Sequence, residues 1–460
     1  MAVLAASLSA LLPAAIGLER GEPVVRAAAQ QPASEPAGRH FVVSPDGAPK
    51  NPGTLSKPRD LNSVFADGGF AKPGDTFWLR GGTYRGPFTS YLTGTESAPI
   101  TVIQYPGERA TFDGLSEPEL SVLTIRGSDT VYRGFEVTNS APRQFSEARG
   151  AGLTVHASRT KVINVVVHDT GDGIGLWSDA VDSELYGNIV YNSGWEASDR
   201  GHGHSVYAQN QTGIKSIKDN ILFNSFSFGV HAYTQSGYID NIHLEGNISF
   251  GHGLLSAQGG PKANYLVGGL RVAANPRLIR NFGYYPLGSN GRNIEAGYIA
   301  GCRNAAVTDN YMAGGVPLVL TRCNDVVLTN NTFVGPLSGA VAERYPDNTY
   351  YSSRPNSAAV FVLPNGYEEG RAHIVVYNWP GHAEVSVDLS DVSLDVGQTF
   401  EIRDVQNYFG PPVMSDRFDG GTVTLPMTGG AVSTPVPNAP LRAPHTAPQF
   451  AVFVVTATAD

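Results

Sequence analysis

The sequence predicts an all-β chain, a right-handed parallel β-helix (solenoid) over residues 39–355 followed by an antiparallel β-sandwich over residues 366–460. Three observations predict it. An Asn-apolar-any-aromatic-or-small motif recurs as GNIVY (187–191), DNILF (219–223), GNISF (246–250), DNYMA (309–313) and NNTFV (330–334). Two segments, RNAAVTDNYM (303–312) and NDVVLTNNTF (324–333), align without a gap at a spacing of 21. After Tyr350 the motif stops and longer alternating strands take over, among them HIVVYNW, EVSVDLS, TFEIRDV and FAVFVVTA. Repeats of this length mark solenoids, and longer alternation separated by turns marks a sandwich.

Composition agrees. Of 460 residues, 53 are Gly, 31 Pro, 20 Tyr and 20 Phe, and only 16% are charged, which suits short strands and turns rather than helical bundles. The net charge of −9 comes without any Lys/Arg-rich run, so no nucleic-acid partner is expected. No apolar run is long enough to span a membrane.

Residues 1–38 come first. MAVLAASLSALLPAAIGL resembles the apolar part of a signal peptide, with Ala27–Ala29 a candidate cleavage site, and QQPASEPAG (30–38) reads as a Pro-rich linker. The expectation is a secreted or periplasmic protein.

The solenoid opens with FVVSPDG (41–47), a short amphipathic stretch RDLNSVFADGG (59–69), KPGDTFWLRGGTYRG (72–86) and APITVIQYPGERATFDG (98–114). This order resembles the opening of right-handed parallel β-helix proteins, including polysaccharide lyases of the chondroitinase B and alginate lyase type. The resemblance implies that the amphipathic stretch is a helix capping the open end of the core, where a bare edge would template aggregation. That lyase group also uses a Lys/Arg pair beside an acidic calcium site. No such arrangement can be placed here, so no catalytic residue is carried over. No cofactor is required; calcium stays open and the metal site is unknown.

Within the coils, the motif asparagines at 188, 220, 247, 310 and 331 are expected to stack inward at one corner, each amide satisfying turn backbone. The gap of 63 between 247 and 310 implies intervening coils with a missing or altered Asn. Cys302 and Cys323 fall one coil apart, near ~4.8 Å, so they are a disulfide candidate or a pair of stacked thiols.

Aligning GIGLWS (173–178), SVYAQN (205–210), GVHAYT (229–234) and GLLSAQ (253–258) puts Ile174, Val206, Val230 and Leu254 in one inward column. Leu176, Ala208, Ala232 and Ser256 form the second. The outward columns are then Gly175, Tyr207, His231, Leu255 and Trp177, Gln209, Tyr233, Ala257. One coil earlier, GLTVHA (152–157) adds Thr154 and His156. Aromatic rings suit sugar faces, and Gln and His supply hydrogen bonds. Before Tyr207 runs a long insertion, NSGWEASDRGHGHS (192–205), with Trp195, Glu196, Asp199, Arg200, His202 and His204. Gly-His-Gly-His is a weak metal-ligand set, with His231 or Asp172 as a third member. Arg143, Arg149, Arg200, Lys215 and Lys218 are candidates for a local positive patch.

These residues point to a polysaccharide substrate. The first expectation is a polysaccharide lyase that cleaves a uronate-containing glycan by β-elimination. Tyr207 and His231 would serve as acid and base, with Arg200 or His204 against the carboxylate. Trp177, Gln209, Tyr233, His156, His202, Asp172, Glu196 and Asp199 would hold substrate. The alternatives are a glycoside hydrolase, drawing two carboxylates from the loops, and a non-catalytic glycan-binding or structural matrix protein. The polymer and the oligomeric state are not readable.

Overall fold

The computed structural model describes residues 38–458, apart from 67–69, 338 and 437–438 and the side chains of 339 and 340. The signal-peptide-like segment and most of the linker lie outside the described residues. Among those residues no helix is long and apolar enough to cross a membrane.

Each coil runs through three short strands, so stacking builds three parallel sheets of 12, 11 and 9 strands. They are called here the first, second and third sheets, in the order a coil visits them. The coil from Glu184 shows the pattern: Glu184–Tyr186 in the first sheet, Ile189–Tyr191 in the second, Val206–Ala208 in the third. Alternate side chains point inward to one continuous core, including Leu185, Val190, Val206 and Ala208, all fully buried. The cap also forms. Helix Leu61–Phe65 starts at Asp60, whose carboxylate accepts from Ser63 N at 2.9 Å, and it buries Leu61, Val64 and Phe65 over the first coils.

The tight corner between first and second sheets carries the asparagine ladder. Asn188, Asn220, Asn247, Asn281, Asn310, Asn331 and Asn348 follow rung by rung, each Nδ2 donating to the next Oδ1 at 2.8–3.1 Å. Two rungs correct the expectation. Asn281, in RNFGY, fills the gap of 63, so no Asn is missing; Asn348 adds a terminal step. Cys302 and Cys323 pair in register and are joined by a disulfide, with Cα atoms 4.3 Å apart.

The antiparallel part begins earlier than Gly366: strand Ala359–Pro364 already pairs with Arg371–Tyr377. A five-stranded sheet and the two-stranded pair Glu384–Asp388 with Thr422–Pro426 enclose a second core around Ile374, Val387, Phe400 and Phe453. The other face of the five-stranded sheet packs Val375, Tyr377, Phe450 and Val452 onto Ile189, Ile221, Ile248 and Phe282 of the second sheet. The layer therefore covers the second sheet and leaves the third sheet's outer face to the loops.

Candidate functional site

Pairing places Ile174 beside Val206 and Val206 beside Val230, which sets Gly175, Tyr207 and His231 in one outward column. His156 and Thr154 sit one rung before, where Thr154 pairs with Gly175. The fourth rung differs from the expectation. Val230 pairs with Tyr265, not Leu254. Residues 251–264 form a loop in which Leu255 packs on Phe226 and Ala443, so Leu255, Ser256 and Ala257 line no strand of this face. Tyr265 hides the inward position because it is polar; its hydroxyl donates to the carbonyls of Asn247 and Phe282.

The pairing also brings out a column that stopping the alignment at residue 173 conceals. Two positions before each inward residue stand Asp172, His204 and Phe228, linked by Gly173 N to His204 O and Ser205 N to Phe228 O. The face is thus a grid three residues wide: Asp172, His204, Phe228; Gly175, Tyr207, His231; Trp177, Gln209, Tyr233. Rungs lie ~4.8 Å apart. His204 and His231 have ring centroids 4.1 Å apart, and His231 is sandwiched by Phe228 at 4.6 Å and Tyr233 at 4.8 Å, each stacked within 6° of parallel. Trp177 lies 5.3 Å from Tyr207 and stacks on His156 at 5.8 Å. Tyr298, which the sequence reading passed over, extends the aromatic run from Tyr233.

Hydrogen bonds fix the polar atoms. Tyr207 donates to Tyr233 O at 3.1 Å and accepts from Gln209 Nε2 at 2.8 Å. His204 Nδ1 accepts from Phe228 N at 3.3 Å, which assigns the ring proton to Nε2. His231 Nδ1 is buried with no hydrogen-bond partner. Burial disfavours the imidazolium of both rings. It holds His204 well below the ordinary imidazole range, with His231 adding repulsion, and pushes His231 down to about 3, with Arg200 adding. Burial likewise raises the Tyr207 phenol. The face therefore presents two neutral imidazoles and a protonated phenol.

Asp172 is pushed up to about 6 by burial, against the opposing bond from His204 N at 2.9 Å. A raised carboxylate pKa favours the folded state below the ordinary value near 3.8, and that advantage is lost as pH rises through about 6. Asp172→Asn should consequently gain stability over the parent between pH 4 and pH 8, by at most about 3 kcal/mol. Thermal midpoints across that range check it; a constant difference would count against a desolvated carboxylate.

The 192–205 insertion is a hairpin pairing Trp195–Glu196 with Gly201–His202. Its neck needs glycine: a Cβ on Gly203, at φ +87°, would lie 2.4 Å from the Gly194 Cα. Here several expected residues part from the grid. Glu196 is buried and turned toward Ser256 Oγ and Ala257 N, at 3.3 and 3.2 Å, so it is committed to holding two loops together. His202 stacks on Trp195 and shares a hydrogen bond with Asp199 at 2.9 Å. Asp199 and Arg200 are exposed on the hairpin tip, and the Arg200 charge still reaches both grid histidines.

The positive patch does not form as expected. Arg143 and Arg149 are buried and donate to main-chain carbonyls, Arg143 also to Asp169 at 3.0 Å. Lys215 is fully buried and donates to the carbonyls of Trp177 and Ala180. Lys218 pairs with Glu245 at 3.7 Å. Of the five only Arg200 stays exposed beside the grid, paired with Asp199 at 3.6 Å, while Arg143, Arg149 and Lys215 satisfy loop backbone that would otherwise be buried unpaired. Among the described residues no three His, Cys, Asp or Glu side chains gather as metal ligands.

The family model described as "Pel9A-like, right handed beta helix region" matches residues 41–264. Those residues form the early coils of the right-handed β-helix, and they are similar to that family. The matched region contains the whole grid from Asp172 to Tyr233 and ends before the disulfide and the antiparallel layer. Among solved structures, pectate lyase Pel9A aligns with TM-score 0.50 and 17% identity, over 69% of this chain and 79% of that one. A rhamnogalacturonan lyase aligns with TM-score 0.43 and 16% identity, over 66% and 83%. The alginate lyase from Paenibacillus sp. str. FPU-7 aligns with TM-score 0.38 and 17% identity, over 68% and 96%. No curated protein matches the chain. The expected fold, a right-handed parallel β-helix like that of polysaccharide lyases, holds.

Proposed function

We propose that the protein is a secreted or periplasmic polysaccharide lyase that cleaves a uronate-containing glycan by β-elimination on the third-sheet face. One observation carries this reading: His231 and Tyr207 occupy neighbouring rungs, with ring centroids 5.8 Å apart and aromatic platforms on either side. His231 takes the C5 proton at Nε2, since its Nδ1 is buried. The C5–H electron pair becomes the C4–C5 double bond, the C4–O bond breaks, and Tyr207 passes its proton to the departing oxygen. His204 Nε2–H and Arg200 face the uronate carboxylate as negative charge builds on it. Trp177 and Tyr233 stack sugar rings to either side. A polymer substrate and a disulfide both suit an oxidising compartment outside the cytoplasm.

Asp172 favours a second reading, glycoside hydrolysis, since a carboxylic acid held near 6 is a fit general acid. That chemistry needs a second carboxylate, and Glu196 is engaged elsewhere while Asp199 sits on the hairpin tip. Incubation with a panel of uronate and neutral polysaccharides separates the readings. The lyase yields the ultraviolet absorbance of an unsaturated uronate on a uronate polymer. Reducing ends without that absorbance establish the hydrolase, and neither product with any polymer leaves glycan binding alone.

A further inference from the structure

Away from the third sheet, a cavity of about 600 Å³ opens where the antiparallel layer meets the early coils. Arg109, Arg133 and Glu136 line it from the solenoid, and Glu368, Arg371 and Arg403 from the layer. Four guanidinium groups thus face two carboxylates. Three of the four already hold an acceptor, Arg133 through Nη2 alone. Arg109 grips Glu136 at 2.7 and 2.5 Å, Arg133 donates to Tyr367 O at 2.7 Å, and Arg403 binds Glu401 and Gly410 O.

Arg371 is the least satisfied of the four, with the Tyr408 hydroxyl as its side-chain partner. Its side chain is only 7% exposed, yet Nε and Nη2 have no acceptor. Its nearest carboxylate, Glu368, stands 3.9 Å from Nη1 and is already accepting from Asn164 Nδ2 at 2.8 Å. A buried guanidinium left short of acceptors is costly unless something completes it. The walls are also aromatic: Phe409 lies under Arg109, with the guanidinium 3.5 Å from the ring centroid, and Tyr105 borders the same space. The volume exceeds what an inorganic ion needs and suits a small organic ligand.

We infer that this cavity binds the carboxylate-bearing ring of a short acidic sugar, at a site separate from the third-sheet grid and independent of cleavage there. Arg371 and Arg133 meet the carboxylate, and Tyr105 and Phe409 flank the ring. Such a site would let the layer hold one stretch of an acidic glycan apart from the stretch on the grid.

The test titrates digalacturonate into full-length protein carrying Trp177→Ala and Tyr233→Ala, which removes the grid's platform. A neutral disaccharide and acetate serve as comparison ligands. Digalacturonate should bind, and adding Arg371→Met or Arg133→Gln should weaken it about tenfold or more. Either substitution alone, in the otherwise native chain, should leave cleavage unchanged. If Arg371→Met does not fold, Arg133→Gln decides. Affinity unmoved by both, equal binding of the neutral disaccharide, or equal binding of acetate overturns the proposal. A chain that cleaves nothing yet keeps arginine-dependent binding sinks the lyase reading and leaves this one standing.

Discussion

Asn247→Ala is expected to destabilise the solenoid by about 3–5 kcal/mol, an exceptional cost for one surface-free polar residue. The side chain is fully buried and makes four hydrogen bonds. Nδ2 donates to Ile217 O at 2.8 Å and Asn281 Oδ1 at 3.0 Å; Oδ1 accepts from Asn220 N at 3.1 Å and Asn220 Nδ2 at 2.9 Å. Alanine removes all four and leaves Ile217 O and Asn220 N without partners where water does not reach. Asn348→Ala offers the internal comparison. It ends the ladder and is half-buried, so solvent can replace part of what is lost, and about 1 kcal/mol is expected. Urea unfolding of both variants checks the difference. Equal costs at the two positions would mean that the ladder is not what holds the corner.

Tyr207→Phe and His231→Ala are each expected to lower kcat by two to four orders of magnitude, roughly the contribution of a positioned acid or base. Tyr207→Phe keeps the ring between Trp177 and His231 and loses only the hydroxyl, so KM should hardly move while kcat falls. His231→Ala also removes the ring that Phe228 and Tyr233 sandwich, so KM should rise as kcat falls. Steady-state kinetics on a uronate polymer provides both numbers. Full activity in either variant would remove that residue from the chemistry.

Much of this was legible in the sequence for physical reasons. Stacked coils impose strict register, so the apolar residues at 174, 206 and 230 fixed which neighbours turn outward, and Tyr207 met His231 as expected. The register failed at the next rung because the 251–264 loop contains its own apolar residues, Leu254 and Leu255, while the true inward residue, Tyr265, reads as amphipathic. Asn281 was missed although RNFGY fits the repeat, since Gly283 and a long preceding coil disguise it. Arg143 and Lys215 read as surface charge because sequence gives no sign of the loop carbonyls that draw them inside.

The docking of the antiparallel layer was not read either, though a signal existed. Strands IVY and ILF put apolar residues at both parities, and ISF puts Ile248 and Phe250 on its outward parity, as strands covered on their outer face do. Their outward Ile189, Ile221 and Ile248 are the residues the layer covers. The residues that face the grid from the hairpin, by contrast, depend on loop geometry that no periodicity encodes, which is why Glu196 turned away from the place expected of it.

The most direct measurement is a crystal structure of the His231→Ala protein with a bound tetra-uronate. The account predicts the saccharide lying across Trp177, Tyr207 and Tyr233, with one carboxylate facing His204 and Arg200 and the scissile oxygen within hydrogen-bond reach of the Tyr207 hydroxyl. A saccharide bound only in the arginine-lined cavity, or one whose scissile bond lies beyond the reach of Tyr207, would contradict it.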